Sequence, residues 1–309
     1  MKNTAVLRPD LDVVRRTVTS PIVTRFAPSP TGFLHLGHVV NAIYVWGLAR
    51  ATRGQVLVRI EDHDRIRSRP TFDSALLEDL LWLGFLEPDQ TGSIVRQRER
   101  SGVYEAALTR LRTVARVYAC DCSRTSFRGE RYPGRCRDRG LAEGPGRGIR
   151  VQLEPGVAEA EDLRLGVIQQ VPAEQCGDLL VRDRDGHWTY QFAVTVDDLH
   201  QRVTLVIRGV DLLSSTGRQV RLGHLLQQCG VADGPWPPHY LHHPLVMDDA
   251  GVKLSKSSGA TGVRHLRATG VTPGEVIGRA AAAVGLLGSL RSVAARDVAS
   301  LFEIAPRGL

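Results

Sequence analysis

The chain has 309 residues, 42% of them hydrophobic, with 40 Lys and Arg against 33 Asp and Glu for a formal net charge of +7. That length can bury one sizeable core, or one core plus a smaller module, and no apolar run approaches the roughly 20 residues of a membrane span. A soluble protein without membrane contact is expected, and its basic balance attracts polyanions without identifying them. The first 20 residues carry Lys2, Arg8, Arg15 and Arg16 but no continuous apolar stretch, which reads as an N-terminal extension rather than a secretory signal. The cytoplasm follows, and five cysteines, an odd count, argue against a disulfide framework there.

Residues 22–26 (IVTRF) read as a strand, followed by Pro28 and Pro30 around Ser29 and by the turn signal Thr31-Gly32. His35-Leu36-Gly37-His38 then opens a run, Val39, Val40, Ile43, Trp46 and Ala49, whose spacing is that of one apolar helix face. A strand, a Gly-containing turn and a helix start aim backbone N–H groups and a positive dipole end at an anion. Two histidines three apart project side by side there, with Gly37 leaving room for a ligand, and that chemistry suits a nucleotide phosphate. A bare HxGH would be explained better by a buried strand–helix turn with incidental histidines.

Residues 55–60 read as a buried strand running into Glu61-Asp62-His63-Asp64-Arg65, at the strand edge where open α/β sheets bind ligands. Without a ligand these are a solvated charged loop. A helix follows from residue 71 to Gly84, then a loop over 90–94, then a helix opening at Gln97 and running through Tyr104 and Leu111. Cys120-x-Cys122 and Tyr132-x-x-x-Cys136 bring three thiols and a phenol into one short insert. Tetrahedral zinc takes four ligands and favours thiolate sulfur, although a phenolate is unusual and three free thiols are the alternative.

Residues 139–147 read as an exposed connection and 149–153 as a strand. Residues 177–182 and 188–196 read as two strands of a hairpin across Asp185-Gly186, with Tyr190 in the second. Residues 203–207 make another strand ending in Arg208, 219–227 a helix, and 240–247 the last parallel strand. His242 and His243 have no third ligand at metal spacing and read as packing or nucleotide contacts. Thr272-Pro273-Gly274-Glu275 is a capping box with Pro at the first helical position, and another short helix is expected from Ser292.

The string PSPTGFLHLGH, residues 28–38, resembles the HIGH signature of class I aminoacyl-tRNA synthetases in its glutamyl and glutaminyl form, and KLSKS, residues 253–257, resembles their KMSKS loop. The Cys-x-Cys…Tyr-x-x-x-Cys spacing resembles the zinc site of the glutamyl-Q tRNA(Asp) synthetases, and the resemblance covers nearly the whole chain after residue 20. It implies an α/β fold with a Rossmann-like doubly wound parallel sheet, a zinc-bearing insert, a short helical C-terminal part and no anticodon-binding domain. The expected divisions are an extension (1–20), the first half of the catalytic domain (21–117), the zinc-binding insert (118–148), a substrate insert with the second half ending in the KLSKS loop (149–258), and the helical part (259–309). Neither the first twenty residues nor 258–264 carry a motif.

The same resemblance implies residue roles. His35, His38, Lys253 and Lys256 would be catalytic, with His35, Gly37, His38 and Lys256 binding ATP. Arg25, Phe26, Ala27, Pro28, Ser29, Glu61, Tyr190 and Arg208 would hold L-glutamate, Glu61 at its ammonium and Arg208 at its side-chain carboxylate, a bidentate match. Cys120, Cys122, Tyr132 and Cys136 would be the zinc ligands, and Mg²⁺ would accompany ATP. The implied activity is tRNA-independent formation of glutamyl-adenylate and transfer to queuosine in the anticodon of tRNA(Asp), by a monomer. Two alternatives are a glutamate-adenylating enzyme with another acceptor (a small molecule, a carrier protein or a different RNA) and a non-catalytic RNA-binding paralogue. Intact His35, His38 and Lys256 argue against the latter.

Overall fold

The computed structural model describes residues 8–64, 66–123, 131–247 and 262–303. Lys253 and Lys256, with the whole KLSKS string, lie outside them. The chain opens with α1 (Leu11–Thr17), capped by Asp10, whose carboxylate accepts from the N–H groups of Asp12 and Val13. Leu11 and Val14 of α1 pack into the main core, so part of the supposed extension is a docked helix.

Three parallel strands follow in spatial order β1 (Val23–Phe26), β2 (Gln55–Ile60) and β3 (Val95–Arg96). Between them run α2 (Leu36–Thr52) and α3 (Pro70–Leu83). α2 is buried on nearly every side, which suits its apolar sequence and marks it as the central helix of the core. α3 begins with Pro at its first position and ends at Gly84, whose φ of 79° a residue with a Cβ rarely adopts.

The second half of the sheet is β9 (Leu205–Gly209), β10 (His239–His243) and β6 (Ala158–Asp162), paired in parallel, with β7 (Gly166–Gln170) antiparallel at the outer edge. The halves abut along β1 and β9: the Thr204 N–H donates to the Val23 carbonyl at 2.9 Å, and Arg25 reaches the Ile207 carbonyl at 3.2 Å. The seam is a switch point, because the chain leaves β1 towards β2 on one side and reaches β9 only after the intervening elements. Ligands bind outside the strand ends at such a place.

The remaining strands, β4 (Val117–Cys120), β5 (Gly148–Val151) and β8 (Leu179–Arg182), form a separate antiparallel sheet in the order β4-β5-β8. Its core is shared with α4 (Ser101–Leu111), α6 (Tyr190–His200) and α7 (Thr216–Gln228). The one-turn α5 (Pro172–Gln175) links β7 to β8, and α8 (Val263–Ala268), α9 (Pro273–Ala283) and a 3₁₀ turn at Ala295–Leu301 close over α2. The capping box at α9 forms as expected, Thr272 and Glu275 each accepting the other's backbone N–H. Among the described residues no helix is long and apolar enough to cross a membrane.

Several local expectations fail for physical reasons. The expected hairpin strand over 188–196 is a single bridge, Arg182 to Trp188, followed by helix α6. Its β-branched Val194, Thr195 and Val196 favour a strand locally, but Phe192, Ala193, Val196 and Leu199 recur at helical spacing and all pack into the second core. The helix expected from Gln97 starts as a 3₁₀ turn, Gln97–Glu99, before α4. The last parallel strand ends at His243 because Pro244 has no N–H to donate. The helix expected from Ser292 is the 3₁₀ turn that begins at Ala295. β3 and β7 had no clear signal, two residues being too few for periodicity and β7 mostly exposed, whereas β6 (AEAED) alternates buried and exposed positions as a half-buried strand does.

Candidate active site

A cavity of about 700 Å³ opens at the carboxyl ends of β1 and β9. One wall is the segment after β1 together with the start of α2, and Glu61 and His63 extend it from the end of β2. The facing wall carries Tyr190, Arg208, Asp211 and the turn after β10. All eight residues expected at an amino-acid site, Arg25, Phe26, Ala27, Pro28, Ser29, Glu61, Tyr190 and Arg208, line this one cavity, as do His35, Gly37 and His38.

At the start of α2, His35 is the N-cap and its Nδ1 accepts the Gly37 N–H at 3.1 Å. His38 returns the capping box: its Nδ1 accepts the His35 N–H at 3.2 Å. A neutral imidazole accepting at Nδ1 carries its proton on Nε2, so each ring is an N–H donor on its far side. The ring centroids are 4.0 Å apart. Gly37 is required by this packing, since a Cβ there would lie 2.9 Å from the His35 ring.

The cavity floor is a buried charge lattice. Arg59, with no exposed surface, pairs with Glu61 at 3.2 Å, Asp198 at 2.8 Å and Asp197 at 3.9 Å. Arg25 adds a second cation on Asp198 at 3.1 Å, while Arg100, Tyr104 and Gln97 bind Asp197. Burial pushes Glu61 above its ordinary value against the pull of Arg59 and Arg25. Burial would also raise Asp198, but the same two arginines hold it below the usual carboxylate range. Phe26 turns its ring into the core, 5.1 Å from Trp46, so its contribution to the cavity is backbone. Tyr190 is the first residue of α6, a helix start rather than a strand position.

Arg208 commits three of its five N–H groups: Nε to His242 Nε2 at 3.1 Å, Nη1 to Gln219 Oε1 at 2.6 Å and Nη2 to Thr216 Oγ1 at 2.8 Å. One N–H on each Nη is left over among the described residues, a donor for each oxygen of a carboxylate. Gln219, Thr216 and the pairing of Arg59 with the acidic pair Asp197-Asp198 escaped sequence reasoning. A signal existed: a lone Arg in the apolar strand QVLVRI and an acidic pair in the apolar run AVTVDDL are buried charges seeking partners.

Elsewhere, Cys120, Cys122 and Cys136 bring their Sγ atoms within 4.8 Å of one another. Cys122 and Cys136 are 3.6 Å apart, and the Tyr132 hydroxyl is 3.4 Å from Cys120 Sγ. Tetrahedral zinc with Zn–S bonds of about 2.3 Å needs sulfur edges of about 3.8 Å, so this donor set fits such an ion. The Tyr132 segment is pinned by its N–H to the Cys176 carbonyl and passes so close to Gly177 (φ 68°) that a Cβ would sit 2.0 Å from the Tyr132 carbonyl oxygen. Arg150 stacks on the Tyr132 ring at 3.7 Å and donates to Cys120 Sγ at 3.4 Å. Burial and the adjacent Cys136 and Cys120 push the Cys122 thiol up to about 11.

Comparison with known proteins agrees with this arrangement. The family profile of class I tRNA synthetases (E and Q), catalytic domain, matches residues 21–285. Proteins named glutamyl-Q tRNA(Asp) synthetase are 40% identical over 259 residues in Janthinobacterium sp. (strain Marseille), spanning 79% of this chain and 84% of that one. The relative of that name in Nitratidesulfovibrio vulgaris is 37% identical over 307 residues, spanning 91% and 92%. The fold is similar to that of glutamate-tRNA synthetase from Elizabethkingia anophelis, with a TM-score of 0.72 at 23% identity over 93% of this chain. The match takes in 66% of that longer chain. The chain belongs to the class I tRNA synthetases of the E and Q type, a family of ligases, within the branch of the glutamyl-Q tRNA(Asp) synthetases.

Proposed function

We propose that the cleft activates L-glutamate with ATP, without tRNA, and that the protein then transfers glutamate to the queuosine base in the anticodon of tRNA(Asp). The observation that carries the activation step is the pairing of an Arg208 guanidinium having one N–H left on each Nη with a Glu61 carboxylate in the same cavity as the α2 start. Arg208 takes the substrate's side-chain carboxylate, which selects glutamate over its neutral amide, and Glu61 takes its ammonium. The α-carboxylate of glutamate then attacks the α-phosphorus of ATP in line. A new P–O bond forms to the carboxylate as the bond to pyrophosphate breaks.

No covalent enzyme intermediate is needed, so the protein supplies positioning and charge stabilisation. The Nε2–H groups of His35 and His38 donate to phosphate oxygens, aided by the α2 dipole. Lys253 and Lys256, outside the described residues, take the charge that builds on pyrophosphate, and Mg²⁺ enters with ATP, held mainly by phosphate oxygens. In the second step an acceptor hydroxyl attacks the adenylate carbonyl and AMP leaves. Queuosine is supported as the acceptor by the shared name of the relatives. An RNA loop can splay such a base into the cleft, and the net positive charge favours an RNA partner. Cys120, Cys122, Tyr132 and Cys136 hold zinc in a structural role that stiffens the insert.

The test is ATP–pyrophosphate exchange with glutamate, followed by labelled glutamate offered with tRNA(Asp) that carries or lacks queuosine. Exchange without tRNA, and label on the queuosine-bearing RNA alone, is the expected result. Exchange without label on either RNA would remove the acceptor and leave the activation chemistry. No exchange would remove both.

A further inference from the structure

The carboxylate-reading arginine does not hold its own orientation. Arg208 is buried, and the atom that receives its Nε–H is the Nε2 of His242, which has no exposed surface. A guanidinium can only donate, so this nitrogen of His242 must be an acceptor and the ring proton must sit on Nδ1. Asp162 enforces that tautomer. Its Oδ2 accepts from His242 Nδ1 at 2.6 Å and from the His242 backbone N–H at 2.9 Å. Its Oδ1 accepts the N–H groups of Arg164 at 2.9 Å and Leu165 at 2.8 Å, so the carboxylate is surrounded by donors.

The chain of bonds closes on itself. Thr216 Oγ1, which accepts from Arg208 Nη2, lies 3.2 Å from His242 Nε2 and can donate its hydroxyl proton there. Gln219 Oε1 holds the third nitrogen, and its own amide is tied to Gln191 Oε1 at 3.0 Å. Three acceptors on three different nitrogens fix the guanidinium within its plane, while Tyr240, parallel to the His242 ring to within 6°, lies beneath the guanidinium carbon at 5.2 Å. The guanidinium that carries the two N–H groups left over is therefore held in one orientation.

We propose that His242, its tautomer set by Asp162, is a positioning residue for glutamate recognition, acting through Arg208. The inference rests on the reading that Arg208 takes the substrate's side-chain carboxylate. It also gives β6 a role: the strand carries no motif, and its last residue is the anchor of the relay. A rotated guanidinium would present one donor rather than two. The loss would then fall on glutamate, and on its distinction from glutamine, while the nucleotide contacts at α2 would be untouched.

The experiment is ATP–pyrophosphate exchange with separate KM values for glutamate and ATP, on wild type, His242→Leu, His242→Gln and Asp162→Asn, with circular dichroism and melting of each. For His242→Leu the KM for glutamate should rise about tenfold or more, the loss expected for one charge-assisted hydrogen bond. Its KM for ATP should hold within about twofold, and its preference for glutamate over glutamine should fall. His242→Gln, whose side-chain oxygen can accept at the Nε2 position, should recover much of the loss. Asp162→Asn should shift the glutamate KM the same way by a smaller factor. An unchanged glutamate KM in His242→Leu, or equal rises for glutamate and ATP that His242→Gln does not recover, would overturn the proposal. If wild type itself shows no glutamate-dependent exchange, it is the assignment of the cleft that fails.

Discussion

Two buried polar centres of this protein are built on opposite principles. Beneath the cleft, Arg59, Arg25 and Arg100 are matched against Glu61, Asp197 and Asp198, each cation within 3.2 Å of an anion. In the insert, three thiols and a phenol converge with Arg150 and Arg139 beside their sulfur atoms, and Arg139 is already engaged by Asp121 at 2.7 Å. The first centre reaches charge balance from its own side chains, so the residues lining the cleft above it are held by the protein's own charges. The second crowds three thiols and a phenol around one point, a donor set that a metal ion would complete. Pre-organisation from within suits a site that must bind and release; completion by an ion suits a site that only has to hold shape.

The sharpest way to break that contrast is to remove the central cation of the cleft floor. Arg59→Met keeps the volume of the side chain but leaves Glu61, Asp197 and Asp198 short of a partner. Breaking one side of a buried ion cluster typically costs about 3–5 kcal/mol. Urea denaturation should show a loss of that order, the same with or without zinc in the buffer. A variant as stable as wild type would mean that the carboxylates are held by Arg25 and Arg100 alone.

The insert should behave in the reverse way. Wild type should carry one zinc per chain by atomic absorption, and Cys136→Ser should lose it. Chelation should lower the melting midpoint of wild type, by about 2–4 °C for each kcal/mol lost, and leave that of Cys136→Ser unmoved. Glutamate-dependent exchange should stay within about threefold in both cases, because the cluster lies outside the cleft and shares no side chain with it. A collapse of exchange on chelation would tie the two centres together.

The contrast also explains what was legible in the sequence. Residues 28–38 and the Cys-x-Cys…Tyr-x-x-x-Cys spacing are local strings, and local strings survive as patterns; the groups they name come together in one cavity and one cluster. The relay of Asp162, His242, Arg208 and Thr216 spans more than fifty positions, and each member taken alone reads as an ordinary buried residue. Arg59 and Asp197 reach each other across 138 positions of chain (197 minus 59), so no window shows both. The misread strand at 188–196 has the same origin. Its β-branched residues express a local preference, and burial of Phe192, Val196 and Leu199 against α4, α7 and the antiparallel sheet decided for a helix. Spacing found the residues that line the cavity better than the interior that holds them.

A third buried acid follows neither principle. Asp79 on α3 is fully buried, and neither carboxylate oxygen has a hydrogen-bond partner among the described residues. The nearest cation among the described residues is Arg264 of α8, 3.8 Å away and also engaged by Glu78. Burial pushes Asp79 up to about 6, with Arg264 and Arg267 offsetting part of the rise. A carboxyl group whose folded pKa lies above its unfolded value holds extra protons in the folded state between the two. Its contribution is therefore fully present below about pH 4 and is lost as pH rises through about 6. Asp79→Asn removes the ionisation while keeping the shape. It should raise the unfolding free energy at pH 8 by about 1–3 kcal/mol, from a shift of roughly two units at 1.36 kcal/mol each, and the gain should vanish at pH 4. Urea denaturation of both proteins at the two pH values decides the matter. If the substitution destabilises at pH 8, Asp79 is ionised against Arg264 and belongs with the matched charges of the cleft floor. If it stabilises, the contact of α8, which follows the KLSKS string, with α3 is weakened at neutral pH by the ionised Asp79.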